Sequence, residues 1–319
     1  MTTARALWTV APGRCEIRGE TLVPTCGHVP VRMLATGISR GTEALVFAGG
    51  VPPSQYAVMA APLMGGSFPF PVKYGYAGVG VLDNGQRVFV LAPHQDLLLA
   101  PAAMCVPVPD AVPTARAVLA ANMETALNIA WDAAPLMGER VAVIGAGVVG
   151  LLAAALLARI PATRVTVIDI DPARAALARA FGCDFAGPDD APADQELIVH
   201  ASASEAGLRL ALDRAAFEGR IVEASWFGDR SPAVPLGEAF HQRRLRLVSS
   251  QVGSIGGTMR GRRTHTQRLA AALALLADPV FDVLLEPPTD FEALPAAMPR
   301  LLSGGLCHVV TYRNPPCSA

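Results

Sequence analysis

Gly145-Ala146-Gly147-Val148-Val149-Gly150 has the G-x-G-x-x-G spacing of a dinucleotide-binding turn. Alone the spacing is unspecific, because glycines punctuate many turns, but its context sharpens it. The β-branched Val141–Ile144 ahead of it predicts a strand, and the Leu/Ala-rich Val149–Ile160 behind it a helix. Asp169 follows 24 residues after Gly145 (145 to 169), at the end of a second strand, Val165–Ile168. In such a turn Gly145 makes the tight bend and Gly147 lets the backbone approach a pyrophosphate. Gly150 permits close helix–strand packing, and the pyrophosphate sits against unpaired N–H groups at the helix N-terminus, with Ala146, Val148 and Val149 completing the turn. Asp169 then accepts from the adenosine 2′-hydroxyl and repels a 2′-phosphate, which favours NAD(H) over NADP(H). The plainer role, capping a helix that begins at Pro172, suits Asp171 better.

Outward from this turn the alternation continues. Leu197–Ala201, Arg220–Ser225 and Leu245–Ser250 read as strands, and Pro172–Phe181, Glu205–Ala216 and Leu236–Arg244 as helices. Repeated β–α units predict an α/β fold with a doubly wound parallel sheet. Upstream, Gly and Pro break residues 1–113 into short apolar runs such as Val29–Ala35, Gly78–Leu82 and Arg87–Leu91, a β-rich texture. Ala115–Ala133 and Thr266–Leu276 read as helices, and Cys307–Tyr312 as a strand that rejoins the first module. The expected divisions are residues 1–120, the Rossmann part 121–255, and 256–319, whose last strand returns to the first part.

A chain of 319 residues suits two domains, and at 52% hydrophobic it can bury a large core. Its net charge of −1, without blocks of like charge, argues against nucleic acid or an anionic membrane surface as partner. Cys15, Cys26, Cys105, Cys183, Cys307 and Cys317 are scattered without a C-x-x-C pair, so neither a disulfide framework nor a clustered structural zinc is expected. Residues 1–12 show no charged segment followed by an apolar one, and a cytoplasmic protein is expected. The apolar run Val141–Ala158 is long enough to suggest a membrane span. Its β-branched opening and three glycines read instead as strand, turn and buried helix.

Arg32-Met33-Leu34-Ala35-Thr36-Gly37-Ile38-Ser39-Arg40 resembles the A-T-G-I-C-R stretch of the medium-chain dehydrogenase/reductase superfamily. The likeness continues through Pro71–Gly80, where that family has G-H-E, then Gly85-Gln86-Arg87-Val88 and the glycine turn, and so covers nearly the whole chain. Within the superfamily, Gly37–Glu43 is most similar to the bacteriochlorophyllide a dehydrogenase type; no substrate is carried over from so short a run. The resemblance implies a GroES-like catalytic domain built from both termini, hydride transfer between the domains, and a homodimer. It also implies that Arg174 reaches the adenosine ribose. Ser202, Ser225, Trp226 and Gln251 lie just after strand ends, where ligands bind such sheets.

The departures matter as much. The family's catalytic zinc is held by a Cys, the His of G-H-E and a later Cys or Glu; here those positions read Ser39, Tyr76 and Ala121. The four-cysteine lobe is missing too. The resemblance therefore implies a zinc-free enzyme.

Without zinc, a side chain must handle the proton on the reacting oxygen. Tyr76 stands at the ligand position and carries a hydroxyl. Lys73, three residues earlier, would lower its pKa if the loop folds back, although positions three apart on a strand face opposite ways. Glu124, among apolar residues on a helix, has a pKa that burial would raise, unless an arginine pairs with it. His94 has Asp96 close by to orient it. Glu43 pairs with Arg40 or faces substrate, and Ser39 is placed to bond a substrate oxygen. His28, His200, His241, His265 and His308 have no partner readable from sequence.

The reading that follows is an NAD(H)-dependent, zinc-independent oxidoreductase interconverting a secondary alcohol and a ketone. A reductase of activated C=C bonds and a catalytically silent dinucleotide-binding protein are the alternatives. Val58–Met64, apolar and ahead of Gly65-Gly66, reads as a flexible pocket wall for a small-molecule substrate of apolar or bulky kind.

Overall fold

The computed structural model describes residues 2–313; Cys317 lies outside them. Two compact units are present, residues 1–121 with 269–319, and residues 122–268.

The second unit is built on six strands: β1 Arg140–Ile144, β2 Arg164–Ile168, β3 Asp184–Ala186, β4 Gln195–His200, β5 Ala215–Glu223 and β6 Arg246–Ser249. All neighbours pair in parallel, in the order β3-β2-β1-β4-β5-β6. This is the doubly wound Rossmann order, and the α/β class read from the sequence is the one observed. Val141, Ala142 and Val143 of β1 are fully buried, which explains why this central strand reads as an unbroken apolar run. The helix Val148–Leu157 follows, with Leu151, Leu152, Ala153 and Ala154 buried. Among the described residues no helix is long and apolar enough to cross a membrane.

Three expected helices change form. Ala115–Ala133 divides into Thr114–Ala117 and Ala120–Ala133. Pro172–Phe181 opens as a 3-10 turn before the helix Ala175–Ala180. Leu236–Arg244 opens as a wide turn, Leu236–Phe240, broken by a non-helical Glu238, and stays helical only through residues 241–242. Gly237 and Glu238 interrupt the helix, while Ala239 and Phe240 pack half-buried against the core of the sheet.

Residues 256–268, expected with the C-terminal part, group with the second unit. Arg268, 1% exposed, explains this. Its guanidinium donates to Glu124 Oε1 at 3.0 Å, to Asn128 Oδ1 and to the carbonyls of Val252 and Ser254. A buried cation so placed cannot leave without stranding Glu124.

The first unit holds a seven-stranded and a four-stranded sheet. The strand Cys307–Thr311 pairs antiparallel with His28–Ile38, so the tail rejoins the N-terminal module as expected. Their common core includes Val31, Met33, Ile38, Val90, Leu301 and Val310. Where His28–Ile38 ends, Ser39 starts the helix Arg40–Ala48, and this strand–helix junction positions the polar groups described below.

Arg268→Leu should destabilise the protein by about 3–5 kcal/mol in urea denaturation, because Glu124 is left buried without its partner. Replacing both residues by leucine should recover much of that loss; a double variant as unstable as the single one would contradict the assignment.

Candidate functional site

The glycine turn lies at the carboxyl end of β1, and its three glycines are not equivalent. Gly145 has φ +108°, and a Cβ there would stand 2.8 Å from the backbone of Ala201 and Ser202. A Cβ on Gly150 would lie 1.9 Å from the Gly145 carbonyl oxygen, an impossible contact. Gly147, by contrast, has φ −76° and open space around its missing Cβ. Nothing in the protein demands glycine at 147, so its side is left clear for a ligand's approach.

Asp169, just beyond β2, accepts from the Ala146 N–H at 2.6 Å through Oδ2 and from the Asp171 N–H at 2.9 Å through Oδ1. It thus fixes the glycine turn while remaining partly exposed. Asp171 performs the capping job, accepting from the Ala173 N–H at 3.0 Å. Arg174 pairs with Asp171 at 3.2 Å, so the arginine expected at a ribose is held by its neighbour. Ala146, Val148 and Val149 complete the turn, whose first helical N–H groups could face a pyrophosphate.

Along the same edge, Ser202 follows β4 and Ser225 follows β5. Ser202 Oγ lies 2.7 Å from His200 Nε2, and Ser225 Oγ accepts from the Ala203 N–H at 3.0 Å. Trp226 is 38% exposed, and Gln251 is exposed beyond β6. Glu124 is buried, which raises its carboxyl pKa, while Arg268 opposes the shift. Of the two roles open to Glu124, the arginine-paired one is observed.

A second polar cluster belongs to the first unit. The Tyr76 hydroxyl lies 2.6 Å from Ser39 Oγ and 3.1 Å from Thr42 Oγ1. Burial raises its pKa, the bonds to Ser39 and Thr42 oppose this, and the Glu43 charge adds to the rise. Glu43, 4% exposed, accepts from the Ser39 N–H at 2.7 Å through Oε1. Its Oε2 lies 2.9 Å from His94 Nε2. His94 Nδ1 is 2.6 Å from Thr36 Oγ1, itself 3.0 Å from the Tyr312 hydroxyl. Neutral His94 satisfies the whole chain, with Tyr312 donating to Thr36, Thr36 to Nδ1, and Nε2–H to Glu43.

Three expectations are corrected here. Asp96 does not orient His94; it binds Arg5, and the orienting carboxylate is Glu43. Glu43 therefore serves Ser39 and His94, not Arg40. Lys73 donates to Glu20 and to Gln95, each at 2.7 Å, and so does not serve Tyr76. Lys73 ends the short strand Val72–Lys73, where Glu20 and Gln95 receive it, whereas Tyr76 lies beyond that strand in irregular backbone.

Beside Tyr76 runs a row of aromatic rings. Tyr56 to Phe68, Phe68 to Tyr74 and Tyr74 to Tyr76 have centroid separations of 5.5, 5.7 and 6.1 Å. Met59 and Met64, from the segment read as a pocket wall, pack on this cluster.

Sequence reasoning missed His200. Both ring nitrogens are engaged, by Glu223 at 2.6 Å and by Ser202.

No family model matches the sequence. Over 108 residues, 34% of this chain, it is 35% identical to L-threonine 3-dehydrogenase of Rhizobium rhizogenes. That match covers 29% of the relative, so the chain spans under a third of its length. The fold matches a short chain alcohol dehydrogenase of E. coli CFT073 complexed with cofactor NADH, with TM-score 0.79 and 18% identity over 98% of this chain and 100% of that one. It also matches L-idonate 5-dehydrogenase of E. coli K-12, with TM-score 0.80 and 14% identity over 97% and 98%. At these identities the structures share a fold with this chain.

The glycines give a paired test. Gly150→Ala should destabilise the protein by about 3 kcal/mol or more, through the backbone collision. Gly147→Val should cost no more than about 1 kcal/mol, the loss of a tolerable helix cap, yet abolish NADH binding. Unchanged NADH affinity in fluorescence titration would remove the turn from the cofactor site.

Proposed function

We propose that this chain is an NAD(H)-dependent, zinc-independent oxidoreductase of the medium-chain dehydrogenase/reductase type, interconverting a secondary alcohol and a ketone. The observation that carries the reading is the clear space at Gly147, between two glycines whose Cβ atoms the protein itself would reject. That cradle fits a pyrophosphate. Asp169 beside it supports NAD(H), since a carboxylate accepts from a ribose hydroxyl and repels a phosphate. When bound, NAD(H) supplies or accepts the hydride.

Zinc does not fit the donors present. Ser39 and Tyr76 offer hydroxyls in place of thiolate and imidazole, and Ala121 has no donor side chain. The nearby imidazole, His94, has both nitrogens engaged by Glu43 and Thr36. The task of polarising the substrate oxygen falls to hydrogen-bond donors.

Ser39 and Tyr76 meet that need. Two hydroxyls 2.6 Å apart share one hydrogen between them, leaving the other for a substrate oxygen or for Thr42. Because burial raises its pKa, the Tyr76 phenol stays protonated through neutral pH. In reduction, the carbonyl carbon gains a hydride while its oxygen takes a proton from this pair, which solvent replaces. Oxidation reverses both transfers. Glu43 holds the Ser39 backbone, and His94 holds Glu43; these two are positioning residues. The adjoining aromatic row and Met59 favour an apolar or bulky substrate.

Tyr76→Phe should lower kcat by about 10²–10³-fold across a ketone panel while NADH affinity is unchanged. In the wild type, reduction should show no loss from Tyr76 ionisation below the ordinary phenol value of 10.0. Activity should also survive strong chelators; stoichiometric zinc lost together with activity would overturn the metal-free reading.

The cofactor assignment has its own test. Asp169→Ala should weaken NADH binding and narrow the preference over NADPH. A wild type that already prefers NADPH would show that Asp169 does not select the cofactor.

A further inference from the structure

His200 ends β4 with its side chain wholly buried. Its Nδ1 lies 2.6 Å from Oε2 of Glu223, the last residue of the adjacent β5, and its Nε2 lies 2.7 Å from Ser202 Oγ. Ser202 Oγ lies 2.9 Å from Ser204 Oγ, which accepts from the Gly207 N–H at 3.0 Å. The other Glu223 oxygen accepts from the Ser225 N–H at 2.7 Å, and Phe227 stacks against the imidazole. The network ties together the two loops that leave β4 and β5 at the ligand edge of the sheet.

Its hydrogen bonds run in one direction. An ionised carboxylate only accepts, so Nδ1 carries the hydrogen and Nε2 of the neutral ring must accept from the Ser202 hydroxyl. The Ser202 oxygen then accepts from Ser204, whose own oxygen accepts from the Gly207 N–H. Ser202 thus spends its only hydrogen inward and keeps one lone pair for an outside donor.

Ser202 itself has a defined place in the second unit. The backbone of Ser202 abuts the Gly145 turn, on the β4 flank of β1, while Asp169 lies on the β2 flank. A dinucleotide whose adenosine ribose meets Asp169, with its pyrophosphate at Gly147, must extend its other half over β4.

We propose that His200 is a positioning residue which locks the Ser202 hydroxyl as a hydrogen-bond acceptor for the nicotinamide-ribose half of the dinucleotide. The donor it fits is a ribose hydroxyl or an amide N–H. This inference rests on the NAD(H) reading above.

The test combines a spectroscopic signature with a split in binding. In protein labelled with 15N-histidine, with His200 assigned from the spectrum of His200→Asn, the wild-type ring should be the Nδ1–H tautomer at neutral pH. Glu223→Gln presents an amide donor or a weaker acceptor to Nδ1 and should shift His200 toward the Nε2–H form. Ser202→Ala, a small change that retains the fold, should raise the Kd for NADH about tenfold. The Kd for ADP, which lacks the second half, should stay within about twofold. An Nε2–H tautomer in the wild type overturns the proposal, as does a Ser202→Ala variant that leaves NADH unaffected or weakens NADH and ADP equally. A wild type that binds neither ligand fails the NAD(H) reading itself and takes the proposal with it.

Discussion

The helix Val148–Leu157 begins so close to β1 that the Gly145 carbonyl oxygen occupies the space where a side chain on residue 150 would stand. This contact sets the angle at which the helix leaves the sheet. It also decides where the first helical N–H groups face. The Asp169 bond to the Ala146 N–H holds the same turn from the side of β2. A strand, a helix start and a carboxylate from the neighbouring strand are thereby fixed together by backbone geometry. Small movements at this junction would be felt along the whole ligand edge, where Ser202 is packed against Gly145.

The first unit is organised around a carboxylate instead. Glu43 is almost fully buried, and both its oxygens are used, one on the Ser39 N–H and one on His94. A carboxylate in the first turn of a helix is favoured by the helix dipole, and it here closes the end of the strand onto that helix. The Tyr76–Ser39 pair inherits its position from this closure. The chemistry proposed for the pair therefore depends on groups that never touch substrate.

What the sequence reveals and conceals divides along contact range. The strand–turn–helix at residues 141–157 is legible because its signals are local: β-branched residues, fixed glycine spacing and an apolar helix. The segment at residues 236–244 is the opposite case: Ala239 and Phe240 pack on the core, yet the backbone leaves helical geometry at Glu238, which apolar spacing does not announce. Polar partners are the least legible. Asp96 adjoins His94 in sequence yet binds Arg5 across a strand pair, while Glu43 reaches His94 from 51 positions away. His200 meets Glu223 only because β4 and β5 are neighbours in register. Pairing of strands, which single-sequence patterns specify weakly, decides these contacts.

The ion pair between Glu124 and Arg268 joins residues near the first and last positions of the second unit. Its ends are therefore anchored to one another through its own side chains. For the polypeptide that surrounds it, so long an excursion closes like a short loop, and little chain entropy is spent in bringing residues 121 and 269 into one module. Such an arrangement lets an inserted body lengthen, shorten or change its sequence without disturbing the topology of its host. It also makes the junction a natural place for circular permutation, since the chain can be reconnected where its ends already meet.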